Sequence, residues 1–475
     1  MVEELDISDI TEEIASKDAR GTRPYHPRML LCLLIYAYSE GVYSSRRIAR
    51  AGVDRVSFRA LTGNQTPHFT VINEFRKKHL HALPGLFAQV VVLCRELGLI
   101  DFEHFSIDGT KMQANASKHK AMSYARMQEE LKKVEGEIRS LLERAEAEDA
   151  AEDAEYGEGR DVDEVAEELK RREDRVARIR EAMAGLEEEA KRARANQLRD
   201  RAEALEAKAE TESNPAEKKR KLTRAAKNRD EASRLDPDGD QPTDDDPEEL
   251  PHHRQPTTKD GAPKGRAQRN FTDSDSRIMK RDGAYIQGYN AQIVVDSKGQ
   301  VIVAVGVSNQ APDHEYLIPM LERTKAAGSP ERLSADAGYM SADNAEHCKR
   351  EGIDAYISTR RQRRGKKAER EAGKASNSLA WKEMQEKLET EEGRREYAKR
   401  KILPEPVFGQ IRGARGFQRF SLRGLSKVEG EWTLIALCHN ILKIVSHLGA
   451  ASSGSASGAC NPAPLGPRGA IPVAA

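Results

Sequence analysis

Apolar residues recur at helical spacing through the first hundred residues of this chain. The clearest run follows Pro27 and ends near Gly41, two residue types that often open and close a helix. Ser44 can cap the first turn of the helix that comes next. The pattern predicts an all-α unit over residues 1–100, built from several short helices.

The pattern changes to alternation between Phe105 and Met112, which is typical of a half-buried strand. Further along, two β-rich runs flank a turn at 296–299 and predict a hairpin. Short strands then alternate with helices. Antiparallel strands followed by this alternation predict an α+β or α/β domain, a mixed β-sheet flanked by helices, in two pieces at 101–120 and 269–448.

A long segment, residues 121–268, separates the two pieces and is rich in Ala, Glu, Lys and Arg. Its apolar residues lie three and four positions apart and predict antiparallel helical hairpins of coiled-coil character. Residues 236–268 lack periodicity and predict a mobile linker. A basic charged insertion is expected at 360–396, and the Ala-, Ser-, Gly- and Pro-rich tail 449–475 is expected to be disordered.

Charge is spread unevenly along the chain, although 78 basic and 78 acidic residues give a total of zero. Residues 121–250 hold 39 acidic and 26 basic residues, a net charge of −13, so the other 345 residues carry +13. Residues 21–100 hold 11 bases and 4 acids. Short helices with basic faces suit a helix-turn-helix-like DNA-binding unit, and they equally suit a solvated helical bundle.

Cysteines and hydropathy exclude several protein classes. The five cysteines are scattered and form no CxxC pair, which argues against a disulfide framework or a zinc site and favours a reducing cytoplasm. No apolar run approaches the ~18–20 residues of a membrane span. The N-terminus is acidic and lacks a signal-peptide pattern. We expect a cytoplasmic protein with no membrane contact.

Three carboxylates stand out by their context. Asp108 lies within the first strand, Asp336 ends a later short strand, and Glu405 precedes a helix expected from about Pro406. Strand ends meet at one rim of a sheet, and oxygen ligands of this kind suit Mg²⁺ or Mn²⁺. Two such ions ~3.5–4 Å apart would suit phosphodiester chemistry. Taken singly, each carboxylate also fits a turn, a cap or the first turn of a helix.

Four ordered blocks of the sequence resemble the DDE transposases of bacterial insertion sequences, which have an RNase H-like catalytic domain. Residues 23–79 are similar to that family's N-terminal helical domain. Similarity to the catalytic strands and to the family's tyrosine-arginine-glutamate-lysine signature is carried by Ser106–Thr110, Gly288–Gln292, Asp336–Tyr339, and Tyr397, Arg400, Glu405 and Arg412. The resemblance covers residues 21–118 and 269–445.

The resemblance implies a role for each matching residue. Asp108, Asp336 and Glu405 would be the catalytic residues and would hold two Mg²⁺ or Mn²⁺ ions. The residues expected to contact DNA are Arg400, Arg412, Tyr397, Arg46, Arg47, Arg76 and Lys77. The surface around the signature suits this role, since residues 360–425 hold 19 bases and 9 acids. The protein would cleave double-stranded DNA at the element ends and join it to target DNA, as a homodimer on DNA near the bacterial nucleoid.

The signature departs from the family pattern in three ways. Four residues separate Arg400 from Glu405, where three are usual; Arg412 replaces a lysine; and Pro404 places Glu405 at or near a helix start. Similar proteins usually have more sequence before the first helical block, so a late start is expected here. These departures leave an inactive or truncated copy, acting only as a DNA-binding protein, as the alternative.

The acidic insertion also has several interpretations. It could be a dimerisation arm or a DNA-mimicking arm that limits non-specific binding. A surface insertion without a specific role is slightly favoured, since loops accept added length at small cost. A coiled-coil scaffold protein is a third class of function, and it depends on residues 121–235 alone.

Overall fold

The computed structural model describes residues 4–15, 24–156, 163–237, 239, 248–359 and 379–452. Residues 360–378, which are about half of the expected basic insertion, lie outside these ranges. So do residues 453–475, which are most of the expected disordered tail.

The N-terminal part of the chain is helical, as predicted. Its helices are α1 Ser8–Ala15, α2 Pro27–Ser39, α3 Ser45–Asp54, α4 Val56–Leu61, α5 Phe69–Lys78 and α6 Leu83–Glu96. Pro27 occupies the first position of α2, and the His26 side chain caps it by accepting a hydrogen bond from the Arg28 N–H. The buried faces of α2 and α6 pack on the last helix of the chain.

A mixed sheet forms the centre of the fold. Its strands are β1 His104–Gln113, β4 Arg277–Arg281, β5 Ala284–Asp296, β6 Ile302–Ser308, β7 Arg332–Ala335 and β8 Asp354–Ile357. The order is β4-β5-β1-β7-β8, with β6 also paired to β5. Strands β4, β5, β6 and β1 are antiparallel, whereas β1, β7 and β8 are parallel. This arrangement confirms the predicted RNase H-like mixed sheet, although the sequence did not predict β4.

Helices cover the sheet. They are α10 Leu317–Thr324, α11 Ala342–Arg350, α12 Leu379–Glu389, α13 Glu391–Ile402, α14 Pro404–Gly409 and α15 Leu425–Ser452. Residues 379–396 of the expected basic insertion therefore lie in α12 and α13, which pack on β8 and β7. Helix α15 packs against β6, α2 and α6, and its Trp432 indole donates a hydrogen bond to the Gln292 carbonyl.

The expectation that no segment approaches a membrane span was wrong, because one helix meets the length and composition of such a span. In the described part of the chain, Leu425–Ala450 is long and apolar enough to cross a membrane, but 56% of its most apolar window is buried inside the protein. Buried Trp432, Leu434 and Ile435 belong to the main hydrophobic core. The hydropathy of this helix is explained by its place between the sheet and the N-terminal helices.

The insertion after β1 is a set of long antiparallel helices, as predicted. It begins with β2 Ala121–Ser123 and continues through α7 Tyr124–Tyr156, α8 Asp163–Glu210 and α9 Pro215–Leu235 to β3 Gln268–Asn270, which pairs with β2. At 1.5 Å per residue, the 48 residues of α8 extend about 70 Å. We call α7, α8 and α9 the helical arm.

The arm is attached to the sheet by charged contacts at its base. Glu189 of α8 accepts hydrogen bonds from Arg269 at 2.5 Å, from Arg277 of β4 at 3.0 Å and from Gln255 at 2.8 Å. Arg277 and Gln255 are themselves buried or nearly so. These contacts fix the arm to the strand β4 that the sequence did not predict.

The second half of the predicted mobile linker differs from the prediction. Residues 248–267 follow a defined path against the sheet, with Leu250 buried beside Gly306. The His253 N–H donates to Asn309 at 2.8 Å. Their lack of periodicity reflects an extended path held by individual contacts. Residues 240–247 lie outside the described ranges.

Candidate active site

The first two predicted carboxylates lie on neighbouring parallel strands. In the register of β1 and β7, Ile107 is opposite Ala335, so Asp108 and Asp336 each follow a paired residue. The Gly109 N–H donates to the Asp108 carboxylate at 2.8 Å, and the Gly338 N–H donates to the Asp336 carboxylate at 2.7 Å. The two carboxylates therefore lie beside each other where β7 ends, close enough for the Asp336 charge to raise the pKa of Asp108.

Glu405 approaches the same rim from a helix. Pro404 is the first residue of α14, and Glu405 lies in its first turn, where the helix macrodipole favours a negative charge. Helix α14 packs on β1 and β5. Asp108 and Glu405 line one open groove of about 650 Å³, which we call the catalytic groove and which also contains Lys111, Lys280, Arg281 and Arg412.

Arg400 lies between two of these carboxylates. Its guanidinium nitrogens are 3.7 Å from an Asp108 oxygen and 3.8 Å from a Glu405 oxygen. The Tyr397 ring centre is 5.9 Å from the same guanidinium, within cation–π range. Tyr397 and Arg400 of the signature thus lie on α13, the helix before the one that carries Glu405, and Arg400 contacts the site's carboxylates.

Burial and neighbouring charges perturb Asp108. Burial of its carboxyl, followed by repulsion from Asp336 and Asp313, raises its pKa to about 7, although Arg400 and the Gly109 N–H oppose the shift. The ionised form is therefore costly in this position. Added positive charge at the rim would relieve that cost.

The chemistry of the three predicted carboxylates fits Mg²⁺ or Mn²⁺, which prefer oxygen ligands. Burial is the main cause of the raised pKa of Asp108, and the nearby Asp336 and Asp313 carboxylates add to it; this buried group of acids is the observation that supports the fit. Among the described residues, the compact group of ligand atoms within 4.8 Å of one another is a different one, Glu13, His79 and His81. The Asp108 and Glu405 carboxylates do not belong to such a compact group within the described ranges, and the Arg400 guanidinium lies between them.

Arg412 extends the site along the catalytic groove. It lies in a short π-helical turn, Gln410–Ala414, that follows α14. One guanidinium nitrogen donates to the Thr110 hydroxyl at 3.1 Å, and another is 3.7 Å from Asp282 in the β4–β5 turn. The sequence did not single out Lys280 and Arg281 of that hairpin, because the short strand β4 was itself not predicted.

A buried polar network fixes α13 against the catalytic strands. His104 of β1 contacts Glu396 of α13 at 3.3 Å through Nδ1 and the Ser334 hydroxyl of β7 at 2.9 Å through Nε2. Burial is the main reason that the pKa of His104 falls to about 4, which keeps the imidazole neutral at physiological pH. Since Glu396 is one helical turn before Arg400, this network helps to position the signature residues.

The predicted cations of the N-terminal helices have different surroundings. Arg46, Arg47 and Lys77 are exposed. Arg76 is buried, only 6% exposed, and donates to the Tyr38 hydroxyl at 2.8 Å and the Tyr43 carbonyl at 3.0 Å. It therefore stabilises the helical unit and is not available to contact DNA in this structure. Exposed cations that the sequence prediction omitted include Arg50, Arg55 and Arg59.

Asp313 is the most informative residue that the sequence analysis missed. It lies in the loop between β6 and α10, and one of its oxygens accepts hydrogen bonds from Asn290 at 2.7 Å and Lys111 at 2.9 Å. No motif or periodicity marked it. The available signal was the block Gly288–Gln292, whose buried amides required a partner.

Comparison with known proteins supplies independent findings. Residues 246–441 match the family model described as Transposase DDE domain, and residues 1–78 match the one described as Transposase domain (DUF772). The first match includes Asp336 and Glu405, whereas Asp108 lies on the other side of the helical arm.

A curated relative also matches part of the chain. The chain is 28% identical over 183 residues to the transposase for insertion sequence element IS1106 of Neisseria meningitidis serogroup B. The alignment covers 38% of this chain and 55% of that protein, so the chain spans about half the length of this relative. No solved structure gives a significant match.

Proposed function

Because the chain is a DDE-type transposase of the insertion-sequence family, we propose that it cleaves double-stranded DNA at the ends of an insertion sequence and transfers the cut strand into target DNA. One observation carries the proposal. Asp108 and Asp336 follow paired residues on parallel strands, and Glu405 lines the same groove as Asp108. This is the arrangement that a shared catalytic site for phosphodiester chemistry requires.

Asp108, Asp336 and Glu405 would hold two divalent ions, Mg²⁺ or Mn²⁺. Ions bound there supply an activated water or hydroxyl and stabilise the leaving oxygen. Backbone N–H groups orient Asp108 and Asp336, and Glu405 lies in the first turn of α14 beside Arg400. Positioning and electrostatics then supply most of the rate enhancement.

DNA would lie along the catalytic groove. Arg412, Lys280 and Arg281 line it, and Arg400 reaches it beside Tyr397. Guanidinium groups bind phosphate through paired hydrogen bonds, which positions the duplex without reading its sequence. In the N-terminal unit, Arg46, Arg47 and Lys77 would add phosphate contacts. Binding should therefore weaken steeply with salt.

The wider arrangement follows from this function. Residues 1–100 would be the helix-turn-helix-like DNA-binding domain, and 101–120 with 269–448 would be the catalytic domain. The helical insertion and the basic stretch 360–396 would be additions to it. We propose that two copies act together as a homodimer on DNA, in the bacterial cytoplasm and in association with the nucleoid.

A second candidate function is DNA binding without turnover. The position of Arg400 favours it, because its guanidinium lies between the Asp108 and Glu405 carboxylates. The spacing between Arg400 and Glu405 also differs from that of the family signature. Salt-sensitive DNA binding without metal-dependent nicking would support this alternative, and measured strand transfer would exclude it.

A cleavage assay tests the proposal. A duplex carrying the DNA that flanks the gene is incubated with the protein and with Mg²⁺ or Mn²⁺, and strand products are separated. Cleavage should depend on the metal and should be lost in Asp108→Ala. The exposed Asp343→Ala is the matched control and should cleave normally. Unchanged cleavage by Asp108→Ala would refute the proposed site.

A further inference from the structure

Asp313 is the meeting point of a buried polar network beside the catalytic groove. Its Oδ1 atom accepts hydrogen bonds from Asn290 at 2.7 Å, from the Lys111 ammonium at 2.9 Å and from Gln292 at 3.3 Å. Asn290 and Gln292 are fully buried on β5, and Gln292 also donates to Asn290 at 2.9 Å. Two inaccessible amides thus hold one carboxylate, and this carboxylate holds one ammonium.

The strand register explains how the network forms. Lys111 of β1 is opposite Asn290 of β5, and Gly109 is opposite Gln292, so all four lie on one face of the antiparallel pair. A Cβ at Gly109 would lie 2.2 Å from the Gln292 amide nitrogen. Gly109 is therefore required so that the Gln292 amide can cross the strand and reach Asp313.

The same network reaches the loop that carries Asp336. The Tyr339 hydroxyl, which is buried, donates to the Gln292 side-chain oxygen. A Cβ placed on Gly338 would lie 2.8 Å from an Asp336 oxygen and 3.2 Å from an Asp313 oxygen. Asp313 and Asp336 thus face each other across Gly338, and the network connects Lys111 to the Asp336 loop.

The Lys111 ammonium is the positive charge that this network holds at the catalytic groove. It lines the catalytic groove together with Asp108 and Glu405, and its side chain is 17% exposed. An ammonium on a flexible stem normally loses rotamer entropy when it binds a phosphate. The ion pair with a fixed carboxylate removes part of that cost in advance, because Lys111 is already held at the groove.

We propose that Lys111 is a further DNA-phosphate-contacting residue of the catalytic groove and that Asp313, fixed by Asn290 and Gln292, is the positioning residue that orients it. This inference rests on the proposed function, because it assumes that the DNA strand enters this groove. It assigns a role to the Gly288–Gln292 block, whose buried amides serve as the anchor for Asp313.

A binding experiment tests the Lys111 contact without requiring catalysis. A fluorescein-labelled duplex of random sequence is titrated with the full chain at several NaCl concentrations in EDTA. Lys111→Gln should lower the slope of log affinity against log salt by about 0.9, the value for one lost phosphate contact. Lys111→Arg should retain the slope. Lys298→Gln, an exposed lysine of the β5–β6 turn, is the matched control. A wild-type slope for Lys111→Gln would overturn the contact.

A double-mutant cycle tests the role of Asp313. Asp313→Asn keeps an oxygen acceptor for the amides but removes the charge that holds Lys111. It should slow metal-dependent cleavage by about tenfold alone, and by less than about twofold in the Lys111→Gln background. An equal loss in both backgrounds would overturn the orienting role. If the wild type does not cleave while Lys111→Gln still lowers the salt slope, the proposed function fails and the phosphate contact stands.

Discussion

Replacement of Asp108 by asparagine should stabilise the metal-free protein at alkaline pH. Burial and the neighbouring carboxylates raise the pKa of Asp108 from 3.8 to about 7, a net effect that already includes the attraction of Arg400. The folded state therefore binds this proton more tightly than the unfolded chain does. Asp108 is neutral in both states only well below its unfolded pKa of 3.8, and it becomes progressively destabilising as the pH rises from there toward 7.

The magnitude follows from the size of the shift. About three pKa units at 1.36 kcal/mol each give an upper value of roughly 4 kcal/mol, reached at pH 8. Asparagine mimics the protonated acid, so Asp108→Asn should recover about 2–4 kcal/mol at pH 8 and less than about 1 kcal/mol at pH 4. Because divalent ions would relieve the same cost, added Mg²⁺ should stabilise the wild type more than the variant.

Urea denaturation in EDTA, followed by tryptophan fluorescence at pH 4, 6 and 8, measures this effect. Trp432 is a suitable reporter because it is buried and donates to the Gln292 carbonyl on the strand beside Asp108. Asp343→Asn, at an exposed position, should leave the transition unchanged at each pH. A variant that is no more stable than the wild type at pH 8, or equally stabilised at pH 4 and pH 8, would refute the reasoning.

Two further predictions concern the arm and the sheet. Glu189→Gln should lower the free energy of unfolding by about 3 kcal/mol, because it leaves the nearly buried Arg277 without its carboxylate partner. Hydrogen exchange should then rise in β3 and β4. Unchanged exchange there would show that Glu189 does not anchor the arm. Gly109→Ala should lower the free energy of unfolding by about 1–3 kcal/mol, because the added methyl group would lie 2.2 Å from the Gln292 amide. The control is Gly136→Ala on α7, where the added methyl group meets open space. A Gly109→Ala melting temperature equal to that of the wild type would contradict the prediction.

The positions of Asp108 in a strand and of Asp336 at a strand end could be predicted from sequence because both follow strong strand patterns. Which strands are neighbours was not predicted: the pairing of β1 with β7 is seen only in the structure, and Asp108 lies inside β1, His104–Gln113, beside the point where β7 ends. Glu405 could be placed at a helix start because Pro404 precedes it. Resemblance to a family then added the expectation that these three belong to one site.

Other features depend on contacts that no local pattern records. The sequence predicts that Arg76 contacts DNA, yet its guanidinium donates to the Tyr38 hydroxyl. That hydroxyl donates in turn to Glu431 on α15, 393 residues along the chain from Tyr38. Asp313 lies in a loop and acquires its meaning only from amides on β5. Strand β4 is short and partly exposed, so its sequence lacks the alternation of a buried strand.

The central claim is that Asp108, Asp336 and Glu405 hold divalent ions at one site. Fe²⁺ bound in place of Mg²⁺, with ascorbate and peroxide, cuts the backbone close to the ion. Cuts are expected near residues 108, 336 and 405 together, suppressed by excess Mg²⁺ and absent in Asp108→Ala. Cuts near Glu13 and His79 instead, or at only one of the three segments, would contradict it.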